Sequence, residues 1–164
     1  MWIDFLILMK QEMAIVAIIF ILLFLKLGKD RSNESFMNIV NVLLLINLVA
    51  GFFWNKEGML FNDMFLTNKL MVLEKNILNL AMLIISMQSY SWLKTHKHVP
   101  EFYMLLLSTM LGMFFMISGG NLLMFYLGLE LSTIPLAAAA NFDLTKKRSS
   151  EAAMKLILTN FVAR

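Results

Sequence analysis

One carboxylate, Glu130, interrupts a hydrophobic run that extends from Phe102 to Ala140, and Pro135 follows it five residues later. An ionisable group at membrane depth costs roughly 2.5–3.5 kcal/mol on insertion scales, and such groups usually face a bundle interior or a water-filled path. The chemistry open to Glu130 is therefore to hold or pass a proton or an ion. On a helix that begins at Asn121, Glu130 lies about 13.5 Å along the axis at 1.5 Å per residue, close to the bilayer midplane. Pro135 has no amide proton for the carbonyl of Leu131 and its ring crowds that group, which frees a backbone acceptor one residue from the carboxylate. In lipid that carbonyl needs water or a neighbouring helix.

Tyr126, Leu127, Thr133 and Ile134 share the helical face of Glu130, so two hydroxyls can hydrate it. Gly128 and Ser132 form a small-xxx-small pair beside it and read as a close helix contact. A structural ion pair that fixes helix register is the alternative to proton or ion handling. The expected partner is a buried cation, and Lys155 is the candidate. Ser149 reads as the N-cap of its helix and Glu151 complements the positive helix end. Lys155 then lies about 9 Å from that start, where snorkelling to the interface is the competing reading.

The elements that hold these groups must be membrane helices. Apolar residues make up 60% of the 164, charged residues 15%, and mean hydropathy is +0.75. An ordinary soluble domain has about 45–50% and 25%. Stretches 13–25, 36–54, 76–93 and 102–129 hold no Asp, Glu, Lys or Arg. The last is too long for one crossing of about 20 residues and must turn, at Gly119-Gly120-Asn121. The fold class is thus all-α, a polytopic transmembrane bundle with five full helices near 10–27, 36–54, 73–94, 101–118 and 121–141, and the start of a sixth at Ser149. Asp4 and Glu12 precede the first stretch and no A-x-A-like site follows it, so it reads as retained rather than as a signal peptide.

Loop charge sets the orientation. Lys26, Lys29, Arg31, Lys94, Lys97, Lys146, Lys147 and Arg148 lie on one side, against Lys10, Lys56, Lys69 and Lys75 on the other, which puts the N-terminus outside. Basic residues at membrane edges also account for the net charge of +3 and give no face for nucleic acid. The chain has no cysteine, which excludes thiolate, disulfide and Cys-ligated iron–sulfur chemistry. His96 and His98 lack a third ligand and read as solvated loop residues. The fifteen methionines read as pliable core filler. Asn38, Asn41, Asn47, Asn76, Asn79 and Gln88 read as interhelical hydrogen bonders. With no glycine-rich nucleotide loop and no nucleophile constellation, no cofactor is expected in this chain and no metal either.

Glu101-Phe-Tyr-Met-Leu, the run from Gly119 through Glu130 and Pro135 to Leu136, and Arg148-Ser-Ser-Glu-Ala-Ala-Met-Lys155 resemble the antiporter-like membrane subunits of respiratory complex I, the proton-pumping NADH:quinone oxidoreductase. The resemblance is specific from about 94 to 158 and looser over 1–93. It implies helices 1–3 in residues 1–94 and the start of a proton-translocating domain in 95–164. It also implies no NADH or flavin site, a channel acid at Glu130 and a second proton-handling group at Lys155. Other membrane-arm subunits and the lipid bilayer are the implied partners, in a bacterial inner membrane or, alternatively, a mitochondrial one. The family couples the helix-five acid to a lysine on a seventh helix, and this chain stops at Arg164. From Ser149 to the end is about 24 Å of helix, short of the roughly 30 Å hydrocarbon core. The chain is expected to be truncated, frameshifted or split, with its C-terminal half elsewhere. A structural or assembly component, or a subunit of a multi-subunit cation/proton antiporter, are the alternative functions.

Overall fold

The computed structural model describes residues 2–28, 32–53, 55–143 and 147–162. Lys29, Arg31, Trp54, Lys146 and Arg164 of the reading above lie outside the described residues. The chain runs α1 (Trp2–Leu8), α2 (Lys10–Leu27), α3 (Asn33–Gly51), β1 (Gly58–Leu60), β2 (Phe65–Thr67), α4 (Lys69–Gln88), α5 (Tyr90–Leu93), α6 (Val99–Ile117), α7 (Leu122–Ala140) and α8 (Lys147–Val162). Four helices, α3, α4, α6 and α7, are long and apolar enough to cross a membrane. Helix α2 has 18 residues but carries Lys10, Glu12 and Lys26. The described chain is a mostly helical bundle of the polytopic membrane kind.

The helix starts follow from local chemistry. The side chains of Ser32, Asn68 and Asn121 accept hydrogen bonds from the backbone N–H of Ser35, Met71 and Met124, at 3.4, 2.8 and 2.8 Å. Each supplies an acceptor to an N–H with no partner inside the first turn. Asn121→Ala is expected to lower stability by about 1 kcal/mol. Denaturation of the purified chain in detergent checks this, and an unchanged midpoint would show that the cap contributes nothing. Pro100 sits in the first turn of α6, where a missing N–H costs little.

Buried residues on α2 (Ile15, Ile18, Leu22), α3 (Met37, Val40, Leu44) and α6 (Tyr103, Leu107, Met110, Phe114) recur at three- and four-residue spacing, so each helix turns one stripe inward. Met82 of α4 joins the same core. The α2 and α4 starts, the α3 and α6 ends and the hairpin share one end of this bundle. There Thr67 Oγ1 donates to the carbonyl of Leu8 at 3.2 Å, Leu66 N–H to Ser118 O at 2.8 Å, and Gly120 N–H to Met64 O at 2.8 Å.

The hairpin is a departure from the all-α expectation. It pairs Gly58 with Thr67, Met59 with Leu66 and Leu60 with Phe65, and Phe65 also bridges to Gly119. Its loop residues Phe61, Asn62 and Asp63 take φ of 54°, 54° and 68°, a left-handed run that costs energy for non-glycine residues. The 119–121 turn forms as expected between α6 and α7, and Gly120 is needed there. A Cβ on it would lie 1.9 Å from the carbonyl oxygen of Asp63.

Two further boundaries differ from the expectation. Helix α4 begins at Lys69 rather than near 73, because Asn68 caps it, and this draws Glu74 and Lys75 inside. Helix α8 begins at Lys147, so Ser149 is not its N-cap; its hydroxyl donates to Ala140 O at 2.7 Å and ties α8 to the end of α7. Asn38 and Gln88 are exposed and so outside the interior. At the opposite end from the hairpin, Lys26 pairs with Glu101 at 2.7 Å and Lys94 with Glu34 at 2.5 Å. The Glu34 carboxylate raises the Lys94 ammonium above the usual lysine range. The lysine side of that pair therefore stays charged at neutral pH and is lost as pH rises through the elevated lysine value.

Candidate functional site

Helix α7 carries the expected site. Glu130 is the ninth of its 19 residues and half-buried, so its backbone stands at mid-span. The helix runs unbroken through Pro135. Around Glu130 two faces of α7 have opposite characters. On one, Gly128, Ser132 and Ala137 are the buried positions, and Gly128 and Ser132 meet α6. A Cβ on Gly112 would lie 2.3 Å from the backbone nitrogen of Ser132, and one on Gly128 would lie 2.7 Å from that of Met116. The small residues let the two backbones touch, as their spacing predicts. Ser132 Oγ donates to Leu129 O at 2.9 Å and reaches Met116 Sδ at 3.7 Å, so it is part of this contact.

On the other face Tyr126, Leu127 and Ile134 are exposed. Thr133, half-buried, donates to the carbonyl of Glu130 at 3.4 Å. Glu130 thus stands at the boundary between the packed α6 contact and an open surface. A mid-span carboxylate with two hydroxyl-bearing neighbours can hold a proton and exchange it with whatever lies against that surface.

Lys155 is placed differently from the expectation. It is 74% exposed by side chain and its Nζ lies 2.6 Å from Glu151 Oε1, one turn earlier on α8. Among the described side chains of that helix, Ala153 is the buried one. A long side chain held by an i,i+4 carboxylate on an exposed face is not a buried cation. His96 Nδ1 lies 2.8 Å from Trp92 O, and His98 Nδ1 lies 3.4 Å from Glu101 Oε1. Among the described residues no three His, Cys, Asp or Glu gather as a metal site.

The interior does hold an ion pair, one that sequence reasoning missed. Glu12 of α2 and Lys75 of α4 meet at 2.5 Å with both side chains almost wholly buried. Lys75 Nζ also stands over the rings of Phe65 and Phe114, 5.2 and 5.9 Å from their centroids. Beside it, Gln11 Nε2 donates to Asn76 Oδ1 at 2.6 Å. Further along, the Ser86 hydroxyl donates to Asn41 Oδ1 at 2.5 Å and lies 2.9 Å from Tyr103 OH. Lys75, Asn76, Asn79 and Ser86 follow the helical period, so α4 carries one polar buried face. That periodicity was the available signal. It was obscured because Lys75 counts as a loop charge when the helix is begun at 73.

Residues 119–164, which hold the turn, α7 and α8, match the family model described as NADH:quinone oxidoreductase/Mrp antiporter, TM. The chain is similar to NADH-quinone oxidoreductase subunit N of Phocaeicola vulgatus, 36% identical over 155 residues that make up 92% of this chain and 33% of the relative. Subunit N of Azobacteroides pseudotrichonymphae is 34% identical over 157 residues, again 92% of this chain and 33% of the relative. That of Pelagibacter ubique is 33% identical over 147 residues, 88% and 31%. The chain spans about a third of the length of these relatives. From its match to their sequences along nearly its whole length, and to the family model over α7 and α8, the chain belongs to the antiporter-like membrane subunit family of NADH:quinone oxidoreductase, in its subunit N branch.

Proposed function

We propose that this chain is part of a proton-translocating membrane subunit of an NADH:quinone oxidoreductase, and that Glu130 is its protonatable channel group. The observation that carries the reading is the position of Glu130, at mid-span on α7 within the stretch that matches the antiporter model. Protonation of Glu130 from one side and release to the other would move charge across the membrane when driven by quinone reduction elsewhere. Residues 1–94 would supply scaffold helices and 95–164 the start of the translocating domain, with five crossing helices, the beginning of a sixth and the N-terminus outside. The partners would be the lipid bilayer, other membrane-arm subunits and the remaining two thirds of the subunit. The membrane would be the bacterial inner membrane, and no cofactor would bind within this chain.

Lys155 enters as a second proton-handling group on the resemblance alone, since it would have to leave Glu151 to act. In the assembled complex, Glu130→Gln is expected to abolish proton pumping, measured as acidification in proteoliposomes. Loss of assembly with normal turnover in the complexes that remain would instead make Glu130 a structural residue. The matched family description also names Mrp antiporters. Sodium-dependent transport without quinone-linked activity would favour that reading.

A further inference from the structure

Lys75 stands where four elements meet. From α4 its ammonium engages Glu12 of α2 and faces the rings of Phe65 in β2 and Phe114 in α6, 5.2 and 5.9 Å from their centroids. A desolvated cation is drawn to the faces of such rings, and the attraction is directional, so it orients the rings as well as the lysine. Phe65 is fully buried, and its ring meets that of Phe115 edge-on, 6.4 Å away. The backbone on either side of Phe65 carries the turn into α7. Leu66 N–H donates to Ser118 O at 2.8 Å, Gly120 N–H donates to Met64 O at 2.8 Å, and Phe65 itself bridges to Gly119. Helix α7 starts directly after this turn, capped by Asn121.

We propose that Lys75, paired with Glu12, is a positioning residue for Glu130 and acts through Phe65 and the 118–120 turn. This role rests on the reading of Glu130 as the channel group. Of the four spanning helices α7 is the least enclosed, with 17% of its apolar stretch buried against 33–39% in the other three. Its path is therefore set chiefly by the α6 contact and by the turn at its start. Glu130 stands about 13.5 Å from that turn, so a tilt of about 10° there displaces it by about 2 Å. A misplacement of about 1 Å can slow a transfer step on the order of 100-fold. Two apolar side chains could fill the space between α2 and α4, often with no loss of stability, but they would not orient the rings. The charge at Lys75 thus serves to hold one arrangement of the hairpin, and with it one placement of α7.

Spin-label distances in the full chain, held in lipid nanodiscs, test the placement, and a chain without cysteine can be labelled at chosen sites. Labels at Ile134→Cys of α7 and Val42→Cys of α3 report on α7, and labels at Phe24→Cys of α2 and Val42→Cys are the control; all three native residues are exposed. Two backgrounds are compared with wild type. The double variant Glu12→Leu, Lys75→Met removes both charges together, and Phe65→Leu keeps the pair but removes the ring. In each, the α7 distance is expected to shift, or its distribution to widen, by about 3 Å, the displacement of Ile134 for the same tilt, while the control stays unchanged. An unchanged α7 distance in either background, or an equal change in the control, would overturn the proposal, since a merely stabilising pair leaves α7 in place. Should one background fail to fold by circular dichroism, the other decides. In the assembled complex both backgrounds are expected to lower the proton-to-electron ratio at least about twofold. A normal ratio there, with pumping lost in Glu130→Gln, would remove the positioning role alone. A normal ratio in Glu130→Gln would remove the channel reading on which that role rests.

Discussion

Lys75→Met is expected to destabilise the bundle by about 3–5 kcal/mol, the range for removing one partner of a buried ion pair. The loss arises because Glu12 stays behind with neither its ammonium nor access to bulk water, and both residues are almost wholly buried. Removing the second charge should recover much of the loss. The double variant Glu12→Leu, Lys75→Met replaces the pair by apolar side chains, an exchange that is often neutral or stabilising. Unfolding in mixed micelles of the purified chain carrying Lys75→Met, Glu12→Leu or both gives the three values. A single variant within about 1 kcal/mol of wild type, the size of an ordinary hydrogen bond, would mean that the pair is solvated. The cycle thus separates an energetic role from a specificity role, since a stable double variant that loses its single conformation would assign the pair to specificity.

The α6–α7 contact should be nearly as sensitive. Gly112→Leu is expected to cost about 3 kcal/mol, the upper end of the range for overpacking, because the first added carbon meets backbone rather than a movable side chain. At 2.3 Å from Ser132 N and 2.7 Å from the Leu131 carbonyl carbon, it can be accommodated only if the helices separate. Separation would also shift Glu130, whose helix is fixed against α6 by Gly128 and Ser132. Gly28→Ala provides the control. Its nearest neighbour is 3.5 Å away and the backbone φ is −78°, so it should remain within about 0.5 kcal/mol of wild type. Equal effects of the two substitutions on the denaturation midpoint would contradict the close contact.

What the residues made legible follows from the physics of each element. Helix 10–27 is bounded by charges and a glycine, and α2 has those limits. The 119–121 turn is dictated by length, since one helix cannot use the whole apolar run, and the glycines choose the place. The Gly128–Ser132 contact was readable because small residues four apart line one face. The hairpin was not, because strands of three residues are too short for a two-residue period to stand out. Lys75 was hidden by tertiary context. A lysine near a helix start looks like an edge charge until a carboxylate from another helix, Glu12, is brought to it. Lys155 shows the converse, since depth along a helix says nothing about which side the residue faces. Its carboxylate neighbour Glu151 claims it on the exposed side.

Whether Glu130 carries the translocated proton is decided by reconstitution. The assembled complex carrying Glu130→Gln is reconstituted in sealed vesicles, and proton uptake is recorded per electron delivered to quinone. Glutamine keeps the shape and loses the titratable proton. Complexes of normal composition are expected to pump no protons, so that the proton-to-electron ratio falls to zero. An unchanged ratio in fully assembled complexes would contradict Glu130 as the channel group.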